Sequence, residues 1–143
     1  MASDKVAIEF KSYTKPSEFI EDLEARVTGA RSRLKELEGR IDSLREKADV
    51  LNKLSSLLAS PQGGYNPSVF EARLAEAKLL VNPTPSQELE VLEYTARQLK
   101  AMIAALERVL SEVKALEGLG EVGGLVLDVV YENGIPTKIL LKI

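Results

Sequence analysis

Apolar positions between Ser17 and Ser60 recur three and four residues apart. Ile20, Val27, Leu34, Ile41, Ala48 and Ser55 share one heptad position, and Leu23, Ala30, Leu37, Leu44, Leu51 and Leu58 lie three residues further on. This is an a/d seam with a polar lapse at Ser55. It predicts a single helix over 17–60, roughly 65 Å long at 1.5 Å per residue. Ser17 is the expected N-cap, with Glu18 at the positive end of the helix dipole. A helix this long with so narrow an apolar stripe needs a partner to be stable.

The flanking segments carry other periods. Val6, Ile8 and Phe10 alternate with Ala7, Glu9 and Lys11, which predicts a half-buried strand over 4–11. After a turn at Pro61–Tyr65, Asn66-Pro67 supplies helix-start chemistry. Phe70, Leu74, Ala77 and Val81 then suggest a short helix over 66–82. Thr84-Pro85-Ser86-Gln87 reads as a capping box that opens a third helix over 84–117. The seam of that helix is Leu89, Leu92, Ala96, Leu99, Ile103, Leu106, Leu110 and Val113, and Gly118 and Gly120 end it.

Residues 124–143 read as a β-hairpin. Leu125, Leu127, Val129 and Tyr131 alternate with Val126, Asp128 and Val130. A three-residue loop, Glu132–Gly134, pairs Tyr131 with Ile135, Leu127 with Ile139 and Asp128 with Lys138. It keeps the faces cleaner than a two-residue Asn133-Gly134 turn would.

Charges identify the long helix's partner. Its e positions are Glu24, Arg31, Glu38 and Arg45; those of the third helix are Glu93, Lys100, Glu107 and Lys114. In an antiparallel alignment Glu24 meets Lys114, Arg31 meets Glu107, Glu38 meets Lys100 and Arg45 meets Glu93, opposite in sign throughout. A parallel homodimer would instead set Arg26 against Arg31 and Arg40 against Arg45. The expected fold is therefore α+β and mainly α, a single elongated domain over 1–143. A long antiparallel helical hairpin, or coiled coil, carries the short helix at its tip. A small antiparallel β-sheet, built from the N-terminal strand and the C-terminal hairpin, sits at its base.

Composition narrows the chemistry. The chain has 143 residues, no Cys and no His. That removes thiol nucleophiles, imidazole acid–base work and Cys/His metal sites. Lys plus Arg number 19 against 22 Asp plus Glu, so a wholesale nucleic-acid binder is disfavoured. No apolar run is long enough to span a membrane, no disulfide can form, and no signal peptide is evident. A cytoplasmic protein is expected, and the excess of Glu, Lys and Arg over Asn and Gln fits a thermophile. Gly118–Gly123 spells GxGxxG. It follows a helix and precedes a strand, the reverse of a dinucleotide fingerprint, so it reads as a helix end. No catalytic, cofactor-binding or metal-ligating set stands out.

Two surfaces stand out instead. Met102, Ala105, Val109 and Leu116 form a second apolar stripe on the third helix, and Val126, Val130 and Leu140 lie opposite the hairpin's main apolar face. Both read as oligomer contacts. Arg26, Arg33, Arg40 and Lys47 share the g position as a basic row, and Tyr65 lies in the Gly-rich loop. These are candidate contacts for a partner or for phosphates. Gly29 and Gly39 suggest a close approach to the long helix. The expectation is a non-enzymatic structural or adaptor protein that forms a homodimer or higher homo-oligomer and holds a protein partner. A nucleic-acid-associated protein and a holdase-like chaperone are the alternatives.

Overall fold

The computed structural model describes residues 7–58, 70–81, 83–119 and 124–143. In chain order the elements are β1 (Ile8–Tyr13), α1 (Pro16–Leu58), β2 (Phe70–Arg73), β3 (Lys78–Val81), α2 (Pro85–Val113), β4 (Val126–Glu132) and β5 (Ile135–Lys142). A 3₁₀ segment, Lys114–Leu119, extends α2. The protein is mainly helical with a small antiparallel sheet, and α1 and α2 pack together. Two compact units are found. One takes the chain up to Leu34 and from Gln98 to Ile143; the other is Lys35–Arg97.

The helix starts follow local chemistry. Pro16, and not Ser17, is the first residue of α1, where its missing N–H costs nothing. The Glu18 amide donates to the Lys15 carbonyl at 3.1 Å, and Thr14 Oγ1 donates to Glu18 Oε1 at 2.8 Å. The capping box of α2 forms as its sequence predicts. The Gln87 amide donates to Thr84 Oγ1 at 3.1 Å, and the Thr84 amide to Gln87 Oε1 at 2.9 Å.

In the first unit the sheet has the order β1-β4-β5, antiparallel throughout. β4 is central. Its Leu127, Val129 and Tyr131 are fully buried against Phe19, Ile20, Leu23, Val27 and Ala30 of α1 and Ile103, Leu106 and Val113 of α2. Each large side chain buried there contributes about 1.5–3 kcal/mol.

Two expectations for this sheet are overturned. Ile8 and Phe10 do not face the core. Ser12 pairs with Asp128 and Tyr13 with Leu127, so Glu9, Lys11 and Tyr13 lie on the helix side. Ile8 and Phe10 fall on the outer side, 67% and 61% exposed. The strand also runs on to Tyr13, and that buried aromatic sets its phase. The hairpin register differs too. Glu132 pairs with Ile135 across a two-residue Asn133-Gly134 turn, both residues having positive φ (53° and 82°) as a type I′ turn requires. An irregularity beside Val130 and Tyr131 then resets the faces. Val129 meets Ile139, Leu127 meets Leu141, and Asp128 meets Leu140 in place of Lys138.

In the second unit the expected helix over 66–82 gives way to a hairpin. Residues 66–69 and 82 lie outside those described, and β2 pairs with β3 from Phe70–Val81 to Arg73–Lys78. The Leu74 amide closes the turn onto the Ala77 carbonyl at 2.8 Å. Ala, Leu and Glu favour helix, but propensity is a weak prior that tertiary context overrides. The buried residues of this unit include Ile41 and Ala48 of α1 and Leu92 and Ala96 of α2.

Expected ion pairs are seen inside each unit. Arg31 meets Glu107 in the first unit and Arg45 meets Glu93 in the second, each at 2.7 Å. All four side chains are substantially exposed, so the pairs add little to stability. Within the chain, neither Gly29 nor Gly39 meets a close neighbour. A Cβ at Gly39 would meet nothing within 4 Å, and one at Gly29 only Arg33 Nη2 at 4.0 Å.

Gly134 is a different case. At φ +82° it lies in the left-handed region, and a Cβ there would sit 2.8 Å from Met102 Cε. Gly134→Ala should therefore lose about 1–2 kcal/mol in denaturant unfolding, mostly from backbone strain. A loss within error of zero would show that the turn is not held in this conformation.

Candidate interaction surfaces

Three features of the two units qualify as candidate sites. The first is a polar network between β1, β4 and α1. Tyr13 and Tyr131 approach from neighbouring strands, and their hydroxyls hydrogen-bond to each other. Tyr13 Oη also donates to Asp22 Oδ2 at 2.5 Å, and Lys11 Nζ donates to the same oxygen at 2.9 Å. The Arg26 guanidinium stacks 3.9 Å above the Tyr131 ring centroid, and its Nη2 donates to Glu9 Oε1 at 3.0 Å. Arg26 Nε is buried without a hydrogen-bond partner and lies 3.6 Å from Asp22 Oδ1.

The surroundings raise the two tyrosines of the network and lower its aspartate. Burial, followed by the bonds to Asp22 and Tyr131, pushes the Tyr13 hydroxyl far above its ordinary range. Burial raises Tyr131 as well. Burial would also raise Asp22, but the hydrogen bonds from Tyr13 and Lys11 outweigh it and hold the carboxyl below the usual range. The arrangement closes the end of the core by satisfying buried hydroxyls.

The second feature is the outer face of the sheet. β1 contributes Ile8, Phe10 and Ser12; β4 contributes Val126, Asp128, Val130 and Glu132; β5 contributes Lys138, Leu140 and Lys142. Leu140 is 49% exposed, and Val126 and Val130 are half-buried. Asp128 is almost fully buried. Lys142 Nζ at 2.5 Å and Ser12 Oγ at 2.6 Å hold its carboxyl below the ordinary range. Lys138 lies 3.9 Å from Glu132.

The third feature belongs to the second unit. Val50, Leu51 and Leu54 of α1, Leu74 of the hairpin turn, Leu79 and Val81 of β3, and Val91 and Tyr94 of α2 are all exposed. Leu51, a seam residue, is 49% exposed and Tyr94 57%. A groove of about 410 Å³ between β3 and α2 is lined by Lys78, Leu80, Gln87, Glu90, Val91, Tyr94 and Arg97.

The expected sites are redistributed among these features. Met102, Val109 and Leu116 are half-buried and pack against the first unit's own core, with Ala105 half-buried beside them, so most of that stripe is covered within the chain. Val126, Val130 and Leu140 lie on the sheet's outer face, as the alternation implies. Of the basic row, Arg26 is taken up by Glu9 and Asp22, and Arg40 by Glu88 at 3.4 Å. Arg33 and Lys47 are exposed. Tyr65 lies outside the described residues, as do positions 120–123 of the GxGxxG stretch. Ile8, Phe10 and the Tyr13–Tyr131–Asp22 network were not singled out from the sequence. Tyr13, two residues on from Lys11 and in phase with Glu9, was the available signal.

Among the described residues no group of Asp or Glu side chains could hold a metal ion, and no helix is long and apolar enough to cross a membrane. Compared with known proteins, the chain matches no family model, no curated protein and no solved structure.

The network gives stability a pH dependence with a definite sign. Asp22 is more acidic folded than unfolded, so its contribution is present above its unfolded value, near 4, and is lost as pH falls through the lower folded value. Tyr13 is less acidic folded, so its contribution is full below about pH 10 and declines as pH rises beyond it. Asp22→Asn should lower Tm at pH 7 and flatten the acid limb of the Tm profile, and Tyr13→Phe should flatten the alkaline limb. Unchanged limbs in both variants would show that these bonds are absent in solution.

Proposed function

We propose that this chain is a non-enzymatic structural or adaptor protein. In this reading α1 and α2 form an antiparallel helical hairpin with coiled-coil character, the protein self-associates through its first unit, and it holds a protein partner on its second. The observation that carries the reading is the second unit's uncovered apolar surface. Leu51 sits on the helix seam yet is half-exposed, and Val50, Leu54, Leu79, Val91 and Tyr94 are exposed on the two helices and the hairpin. Scattered single hydrophobes need no explanation, but a set this dense on one small unit is the signature of a contact surface. Tyr94, large and amphipathic beside the Lys78, Glu90 and Arg97 side chains, is the kind of residue that anchors such contacts.

The same surface supports a second reading, a holdase-like chaperone that shields apolar segments of unfolding clients. The nucleic-acid reading loses support, because Arg26 and Arg40 are engaged by carboxylates of the same chain.

The adaptor reading predicts that the purified full chain captures one defined protein, read by mass spectrometry. Combined Val91→Glu and Tyr94→Ala should reduce that capture at least about tenfold, with circular dichroism unchanged. General suppression of aggregation by the wild type, lost in the same variant, would favour the holdase. Capture indifferent to both substitutions would remove the second unit as the binding surface.

A further inference from the structure

β5 is an edge of its sheet, the strand order being β1-β4-β5. Such an edge presents a row of N–H and C=O groups that another strand completes. Natural edges are blunted by charge, and the opposite edge follows that rule. β1 carries Glu9 and Lys11 on its helix side, fixed by Arg26 and Asp22. The lysines of β5 lean away from their edge. Lys142 reaches across the outer face to Asp128 at 2.5 Å, and Lys138 lies 3.9 Å from Glu132. The side chains left at the edge are apolar on both faces. Ile139, Leu141 and, by alternation, Ile143 lie on the helix side, and Leu140 lies on the outer side, all of them exposed.

We propose that the β5 edge is completed by β5 of a second copy, antiparallel and centred on Leu141, joining two three-stranded sheets into one of six strands. The inference rests on the self-association half of the reading above and assigns its strand and register. A two-fold perpendicular to the sheet keeps outer side chains outer, so opposed residues share a face and the pairing centres on one residue. Pro136 has no N–H to donate, and Thr137 is the extra residue where Tyr131 pairs with Pro136 but Val130 with Lys138. A centre at Ile139 would draw both into the ladder. A centre at Leu140 sets Lys138 against the copy's Lys142, and a centre at either lysine sets that lysine against itself. Leu141 is the centre within 138–142 that avoids all of these. It opposes Leu141 to Leu141 of the copy and Ile139 to the copy's Ile143, an apolar row along the helix side. On the outer side Leu140 meets the aliphatic stem of the copy's Lys142, whose ammonium stays with its own Asp128. Both edges of the joined sheet are then β1, the strand blunted by charge, so pairing stops at two copies. One strand pair is a smaller contact than a standard interface, and the dimer is expected to be weak and reversible.

Sedimentation velocity of the full chain, from about 10 µM to about 1 mM, tests this. The wild type should form a reversible dimer. Position 141 faces itself across the axis, so Leu141→Lys and Leu141→Glu should each raise Kd at least about tenfold with circular dichroism unchanged. An equimolar mixture of the two should dimerise again, because lysine then faces glutamate. Val91→Glu in the second unit should behave like the wild type. The chain has no Cys, so Leu141→Cys gives a second readout that keeps the site nearly isosteric. Directly opposed residues lie within disulfide reach, and this variant should form a covalent dimer on oxidation, whereas Thr137→Cys should not. A mixture no more associated than either charged variant alone, or no disulfide at position 141, overturns the register. A dimer that keeps the wild-type Kd in Leu141→Lys overturns the edge while leaving self-association standing. A wild type that is monomeric throughout, with Leu141→Cys uncrosslinked, removes both.

Discussion

Burial of the helix-facing side of β4 is the constraint from which the first unit follows. β4 is the central strand, and Leu127, Val129 and Tyr131 have no exposed surface. Period two puts these three on one face, so α1 and α2 must both present apolar stripes to that face. On α1 the stripe is Phe19, Leu23 and Val27, spaced by four. Asp22 and Arg26 repeat the same spacing one residue earlier, on the flank of the stripe. This offset delivers a carboxylate to the buried tyrosine hydroxyls and a guanidinium to the Tyr131 ring. A buried hydroxyl without a partner would cost about 1–3 kcal/mol. The polar network is therefore a condition for ending the core in two tyrosines.

The same constraint leaves the sheet's other face to find its own solution. Helices joined to a three-stranded sheet by short connections cover one side of it, and the outer side keeps Ile8, Phe10, Val126, Val130 and Leu140. The chain manages this face by local ion pairing. Asp128, nearly buried among apolar neighbours, would be costly alone, and Lys142 and Ser12 hold it. Each lysine on β5 lies beside an acid on β4, so the face is neutral in itself.

Legibility in the sequence followed the range of the interactions concerned. The capping box at Thr84–Gln87 and the Arg31–Glu107 and Arg45–Glu93 pairs were readable, because short motifs and a sustained heptad encode them directly. Three features were not. The phase of β1 depends on Tyr13 finding Tyr131, more than a hundred residues away, and the nearer Ile8 and Phe10 suggested the opposite face. The hairpin register depends on an irregularity beside Tyr131 that lets a two-residue turn keep Leu127 opposite Leu141; pairing rules without such an irregularity favour a longer loop. The segment 70–81 has helix-forming residues and four apolar positions at helical spacing, yet Leu80 lines a groove with Gln87 and Val91 as part of a strand. The candidate surfaces were legible only in part for the same reason. Met102, Val109 and Leu116 were read as a stripe that another chain covers, but they pack against the first unit's own core.

The two units also differ in what holds their helices. In the first, α1 and α2 receive a third element, the sheet, and the core includes Phe, Leu, Ile and Tyr side chains with no exposed surface or nearly none. In the second, the buried helical residues among those described are Ile41, Ala48, Leu92 and Ala96, and alanine burial contributes little apolar area. Exposed ion pairs such as Arg45–Glu93 cannot make up the difference. Helix propagation can. Nucleation is the costly step, and extending a formed helix adds one hydrogen bond for each residue ordered. α1 and α2 are continuous through both units, so their second-unit turns propagate from segments already secured by the first unit's core. A helix pair sustained in this way does not have to bury Leu51, Val91 or Tyr94 to persist. Those side chains can stay on the surface.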